Sequence, residues 1–427
     1  MAVVWNRGTD LDAEAAQKVR ALLGDTLTAD AAVQVALLNN RDLQATYAEL
    51  GVAQADLVQA GLLKNPIFAS AVRVPLAGGQ AELAFSAVMD FLDIFYRPLR
   101  KRVAAARLED AKLHVSGALL DFAAAVQVAF YRHQAHEQML EMRQTIVHAL
   151  GASLEVARRL HEAGNITDLD LARERAQAEE AKVHLRLAET AVRQSRERLQ
   201  TFMGLWGEET DWEIDRRLPD IPEREIELEG LEGFAIRRSI DLASARQRIV
   251  VAGERLGFNR AASLVPELPL GVVAKREGEW EVGPALALPV PLFDQGQARI
   301  GRAVAELRRA HQEYYALAVR VRSTARAVRD RVQGARDRAL YHRDILLPLR
   351  ERILNEAQLQ YNAMQLGVID LLRVREEQIQ AAVAYLEALL EYWSARTDLE
   401  QVIRGRLPVP EPIQAGPTVR PKNMVEH

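Results

Sequence analysis

His133 and His136 stand three residues apart, a spacing that sets two imidazoles on one side of a helix, where they could share a metal ion. No third ligand is evident beside them, so a pair of solvated histidines is the expected reading. Asp168, Asp170 and Asp370 fall at the predicted starts of helices, just after breaks carrying Gly164-Asn165 and Gln365 to Gly367. A carboxylate there favours the positive end of the helix macrodipole. Gathered from several chains around one axis, the same acids would crowd like charges, and Arg373, one turn beyond Asp370, would neutralise them. Covalent chemistry has no candidates. There is no cysteine, and the P-loop, GxGxxG, GxSxG and HExxH patterns are missing. No catalytic residue, resident metal or cofactor is expected.

The elements that carry these residues are long helices. Among 427 residues only 6% are aromatic, while Ala, Leu, Arg and Glu are abundant and long stretches lack Pro and Gly. A formal charge of -4, with both signs interspersed, leaves no basic stripe for nucleic acid. No apolar run reaches 18 residues, so no transmembrane helix is expected. The opening Met1-Ala2-Val3-Val4-Trp5-Asn6 lacks the basic start and apolar core of an export signal. The expectation is a mature chain from which such a signal has been removed.

The chain reads as written twice. Ala163 to Leu171 aligns with Ala363 to Leu371 at an offset of 200 residues, and the same offset sets Asn65-Pro66 on Val265-Pro266 and Arg102 to Ala105 on Arg302 to Ala305. Each half reads helix, hairpin, very long helix, tip, returning helix. In the first, a helix capped by Thr28 runs to Leu63; strands follow over Ile67 to Pro75 and Ala81 to Met89; a long helix occupies Pro98 to Ala163. In the second, Leu268 to Lys275 and Trp280 to Val290 flank a turn, and helix continues from Gln297 to Ala363. About 65 helical residues extend roughly 100 Å. The returning helices, Asp168 to Phe202 and Asp370 to Ile403, carry coiled-coil seams at Ala178, Ala181, Leu185, Ala188, Val192, Ser195 and Leu199, and at Ile379, Ala382, Leu386, Leu389 and Trp393. The expected organisation is an N-terminal segment 1–27, repeats 28–204 and 229–405 with hairpins 67–89 and 268–290 and tips 163–168 and 363–370, a linker 205–228, and a tail 406–427.

Strands of about ten residues span a bilayer core when tilted. Leu268, Leu270, Val272 and Ala274 alternate with Glu267, Gly271, Val273 and Lys275, so the first set is expected to face lipid. Four strands cannot close a barrel, and an open edge in lipid leaves backbone groups unpaired at several kcal/mol each. Membrane insertion therefore requires chains to pool strands, eight from two or twelve from three.

Leu288-Pro289-Val290-Pro291-Leu292-Phe293-Asp294-Gln295-Gly296, with Arg299 to Ala303, resembles the strand-to-helix signature of TolC-like outer-membrane efflux proteins. Tyr361 to Leu372 resembles their periplasmic tip, and Ala48 to Leu57 before Asn65-Pro66 resembles their first helix. The likeness spans about residues 28 to 405. It implies a homotrimer with a twelve-stranded barrel in outer-membrane lipid above a helical periplasmic tunnel. The linker, with Trp212, Pro219 and Pro222, would form an equatorial belt. It also implies a passive exit duct for small molecules or metal ions, opened by a periplasmic adaptor and driven by an inner-membrane transporter. Gly164, Asn165, Gln365 and Gly367 would then lie in the adaptor-docking tips, with Asp168, Asp170, Asp370 and Arg373 at the gate. Asp370 matches an acid that rings the pore in relatives, and Arg373 replaces a second one. A periplasmic adaptor or a coiled-coil scaffold are the other classes considered; adaptors usually carry one helical hairpin, whereas this chain has two rods and an internal duplication.

Overall fold

Thr28 begins the first long element as its residue type demands: its hydroxyl accepts the Ala31 N–H at 3.2 Å. The computed structural model describes residues 5, 8–74, 81–226, 229–264, 267–277, 279–287 and 292–408. The predicted hairpin turn at 76–80, Val265-Pro266, the 288–291 part of the signature and the tail beyond 408 lie outside them. The N-terminal segment contains α1 (Asp10–Gly24), which buries Ala15 and Val19.

The helix expected from Thr28 to Leu63 is in fact two, α2 (Ala29–Asn39) and α3 (Arg41–Ala60). Asn39 and Asn40 make the break. The Asn39 amide donates to the carbonyls of Met203 and Gly204 at 3.1 and 2.9 Å, and the Asn40 amide to those of Thr201 and Phe202 at 3.3 and 3.0 Å. These are the orphan carbonyls at a helix C-terminus. Asn40 Oδ1 meanwhile accepts the Leu43 N–H at 2.9 Å and caps α3.

Two strands follow, β1 (Ile67–Arg73) and β2 (Glu82–Asp90), and then α4 (Asp93–Glu162). α4 starts before Pro98, the expected boundary, and holds that proline in its second turn, where one backbone bond is lost. The Asp93 carboxylate compensates locally. It accepts the Lys64 N–H at 2.9 Å and pairs across the proline with Arg100, whose other arm reaches the Leu62 carbonyl at 3.2 Å. One stretch of α4 does meet the length and composition test for a membrane-crossing helix, contrary to expectation. A third of that stretch is buried within the chain, and along its length α4 gives Val115, Ala123, Val126, Phe130 and Tyr131 to the core.

α5 (Asp168–Met203) returns from the first tip. After a short 3₁₀ turn at Gly207–Thr210, the second half supplies α6 (Leu231–Arg238), α7 (Ile240–Leu264), β3 (Pro269–Glu277), β4 (Glu279–Leu286), α8 (Gln297–Tyr341), α9 (Leu347–Asn362) and α10 (Val368–Ile403). The second rod is interrupted by a π-turn at His342–Leu346, immediately before Pro348, where the missing N–H loosens the ladder. The four strands make one antiparallel sheet in the order β1-β2-β3-β4. They run seven to nine residues, shorter than the ten expected.

The linker has little regular structure, so its carbonyls need outside donors. Gln134 of α4 donates to Asp215 and Arg217, Arg196 of α5 to Thr210 and Trp212, Arg336 of α8 to Pro222 and Glu223, and Trp393 of α10 to Pro219. Glu225 accepts from Tyr392 at 2.6 Å and Arg396 at 2.8 Å. Leu27 and Ile214 form a parallel bridge beside the fully buried Trp212. Four rods are thereby laced together at mid-height.

Gly204 and Gly405 close the two returning helices with φ of +66° and +91°. Each packs on the break of the preceding helix pair: a Cβ on Gly204 would lie 3.0 Å from the Asn39 carbonyl oxygen, and one on Gly405 2.2 Å from that of Arg238. Gly405→Ala is therefore expected to destabilise by about 2 kcal/mol or more. Gly151→Ala, in open space within α4, should instead add about 0.5–1 kcal/mol. Thermal unfolding of both variants checks this; an unchanged melting temperature for Gly405→Ala would refute the packing argument.

Candidate functional site

Strand register assigns every residue of the sheet to a face. Val272 lies opposite Ala87 and Pro284, Ala87 opposite Phe68, Ala274 opposite Phe85 and Val282, and Arg276 opposite Leu83 and Trp280. Directly paired residues share a face. One face therefore carries Phe68, Val72, Leu83, Phe85, Met89, Leu270, Val272, Trp280, Val282 and Leu286. Apart from the half-buried Leu83 and Met89, these side chains are exposed although large and apolar: Phe68 by 77%, Val282 by 69% and Val272 by 51%. A contiguous apolar face of this kind marks a non-aqueous neighbour. The other face holds mostly small and charged residues, Ala69, Ala71, Arg73, Glu82, Ala84, Ser86, Gly271, Val273, Lys275, Glu281 and Gly283, with Ile67 and Val88 at the end of the sheet nearest the rods. Glu82 pairs there with Lys275 at 2.9 Å and Arg73 at 3.7 Å.

Leu270 and Val272 thus occupy the apolar face and Val273 the polar one. Leu268 lies just before β3, where its N–H donates to Asp90 at 3.0 Å and its carbonyl accepts from Phe91 at 3.0 Å. Nine residues at about 3.3 Å make a strand of roughly 30 Å, which a tilt near 40° reduces to the ~25 Å apolar band of outer-membrane barrels.

At the opposite end of the rods, Gly164 takes φ +74°, and the Asn165 N–H returns to the Leu160 carbonyl at 2.8 Å. Thr167 caps α5 in a box with Asp170, whose carboxylate accepts the Thr167 hydroxyl at 2.8 Å. Those hydrogen bonds hold the Asp170 carboxyl below its usual range. Asp168 contacts His161 at 2.7 Å. In the second tip Met364 occupies the left-handed region at φ +58° with its side chain fully exposed. The Gln365 N–H returns to the Gln360 carbonyl at 2.9 Å, and Gly367 precedes α10 without a side-chain cap. Asp370 and Arg373 lie 3.5 Å apart within the chain. Among the described residues, no ion pair or hydrogen bond joins the acids of one tip to those of the other.

At 24% identity over 387 residues, the chain is similar to the cobalt-zinc-cadmium resistance protein CzcC of Cupriavidus metallidurans, with 88% of this chain and 90% of the relative covered. The solved structure of CusC superposes with a TM-score of 0.72 at 14% identity, covering 88% of this chain and 92% of CusC. The CmeC outer membrane channel of Campylobacter jejuni gives 0.71 at 13% identity, covering 95% and 91%. The fold is that of the TolC-like outer-membrane channels. No family model matches the chain.

The TolC-like rods also carry buried titratable groups that their sequence disguises. His133 is not solvated. It is fully buried between α4 and α5, with Nδ1 2.9 Å from the Ser195 hydroxyl and its ring edge-on to Trp212 at 5.6 Å. Burial, reinforced by Arg196 and His136, pushes its pKa down to about 4. His136 contacts the Ala191 carbonyl at 3.2 Å. Among the described residues no group of three or more His, Asp or Glu could hold a metal. Glu174, two turns above the first tip, is buried, and burial together with Glu376 of α10 raises its pKa. Gln177 bridges to Glu376 at 3.5 Å. Sequence reasoning missed this pair: Glu174 stands four residues beyond Asp170 and Glu376 six beyond the equivalent Asp370, so the repeat alignment does not set the two acids on one another.

If the apolar face meets lipid, Val272→Lys should cost about 2–4 kcal/mol of stability in bilayers while Val273→Lys costs far less. Equal losses in urea titrations of vesicle-embedded protein would contradict the assignment. His133 adds a pH dependence. Below pH 6.5 the unfolded chain takes up a proton that the buried imidazole refuses until about pH 4, so stability falls with pH across that window, by roughly 3 kcal/mol at its end. Thermal melts of His133→Gln should show a shallower loss; parallel pH curves would exclude this histidine as the source.

Proposed function

We propose that the chain is the subunit of a trimeric exit duct in the outer membrane, serving a tripartite efflux system. The sheet carries this reading: one apolar and one polar face, on four strands that form no closed barrel. Three chains would supply twelve strands. The rods support head-to-tail closure around a three-fold axis. Among the described residues α4 packs on α5, α7 and α10, α8 on α6, α7 and α10, and α9 on α10, so α5 and α9 each have one principal helical partner. Val183 and Leu187 on α5, and Tyr341, Ile345 and Leu349 along the second rod, are exposed. Stripes at helical spacing suit a coiled-coil seam with the next copy.

The halves 28–204 and 229–405 are read as copies of one unit. The recurring element order supports this, as does a positive-φ glycine just past the end of each returning helix, Gly204 and Gly405. The duct has no chemistry of its own. CzcC is named for resistance to cobalt, zinc and cadmium, which favours divalent metal ions as cargo delivered by a partner pump. The tips, with the strained and exposed Met364, are the surface offered to a periplasmic adaptor. In the closed duct three copies of Asp370 would converge, each partly neutralised by its own Arg373.

Detergent-solubilised protein should have a protein mass of three 47.7 kDa chains; a stable monomer would overturn the reading. In planar bilayers Arg373→Ala should increase conductance by unmasking the acids, and Asp370→Ala should change its dependence on cations. Wild-type conductance in both variants would place the gate elsewhere.

A further inference from the structure

The two junctions between sheet and rods point to a lipid-binding collar. We propose that exposed cations on the first turns of α4 and α8 bind the phosphates of anionic phospholipids at the edge of the bilayer. This rests on the reading of the sheet as membrane-embedded.

The apolar face of β2, at Leu83, Phe85, Ala87 and Met89, continues to Phe91 at the next alternate position. Phe91 is exposed and meets the Phe95 ring edge-on at 5.8 Å. This contact carries the apolar surface from strand to helix. On α4, Ile94, Phe95, Pro98, Lys101, Arg102 and Ala105 recur at the spacing of a single helical stripe. The stripe changes character along its length. Ile94 and Phe95 are exposed and apolar; Lys101 lies about 10 Å further from the sheet. Lys101 is exposed and has no ion-pair partner among the described residues. Arg102 pairs with Glu254 at 3.2 Å yet keeps 61% of its side chain exposed.

The second half repeats the order with different residues. Leu292 and Phe293 are exposed, Phe293 by 92%. Arg299 and Arg302 follow on α8; Arg302 pairs with Glu306 at 2.8 Å with 80% of its side chain exposed. Arg97 and Arg260 add exposed cations without ion-pair partners among the described residues, alongside two unpaired acids in that zone, Asp56 and Glu267. Apolar residues ending a membrane face, with cations one to two turns beyond, match the succession of acyl chains and phosphates in a leaflet. Long Lys and Arg stems let the charge reach the phosphate while the methylenes stay on the apolar side.

The test uses the full chain in nanodiscs of phosphatidylcholine alone or mixed with phosphatidylglycerol, with retained lipid counted by native mass spectrometry after detergent release. The parent should retain phosphatidylglycerol several-fold above its share of the bilayer. Combined Lys101→Gln, Arg102→Gln, Arg299→Gln and Arg302→Gln substitutions should abolish that enrichment, and Lys101→Gln alone, which breaks no ion pair, should reduce it. Equal retention of both lipids by the parent, or enrichment unchanged in the variants, would overturn the collar. Enrichment erased by millimolar inorganic phosphate would assign the cations to free phosphate and overturn it equally. Insertion is read separately by protease protection of the hairpins. Protein that inserts without enrichment sinks the collar and leaves the membrane reading intact, whereas protein that fails to insert sinks both.

Discussion

β1 and β4 are the outer strands of a four-stranded sheet, and no strand of the chain among the described residues pairs with their free edges. In water such edges are a liability that charges or bulges can blunt. Against lipid they are untenable, because backbone groups there have no solvent to turn to. In the proposed membrane-embedded duct, the apolar residues that make the sheet's one face unfit for water would therefore also require its edges to be completed by other copies. The same logic organises the rods. In the proposed duct a chain offering four strands would also offer a matching arc of helices, with the exposed apolar residues of α5 and of the second rod at its flanks.

A tunnel built from such rods needs something to set their lateral spacing, since coiled-coil seams alone tolerate sliding. The linker supplies it. Lacking secondary structure of its own, it draws side-chain donors from α4, α5, α8 and α10, and each donated bond fixes one rod to the same strip of backbone. Arg406 adds a second tie. Its guanidinium joins Asp121 of α4 at 2.6 Å and also pairs with Asp241 of α7, while the Leu407 N–H donates to Asp241 at 2.9 Å. These partners are far apart in sequence, so the contacts hold the two halves together. The tips, by contrast, hold only local bonds: a capping box at Thr167, an i,i+3 pair at Asp370 and Arg373. Weakly tied ends on firmly tied rods are where movement would be concentrated.

Periodicity and punctuation made the order of elements legible. A period near 3.6 identified the rods and their returns, and alternation identified the hairpins. Those signals are local, and local backbone physics obeys them. The sequence by itself also determined that Leu270 and Val272 lie opposite in sense to Val273, because side chains on a strand alternate whatever surrounds it. What only the tertiary structure decided were features set by distant partners. The break at Asn39-Asn40 exists because the end of α5 needs donors there. α4 starts before Pro98 because Asp93 and Arg100 bridge the defect. His133 is buried because α5 brings Ser195 to it and the linker brings Trp212. Glu174 meets Glu376, 202 residues away in sequence, only when the two returning helices lie side by side. Each of these depends on which surfaces meet, and a single sequence carries no local signal of its long-range neighbours.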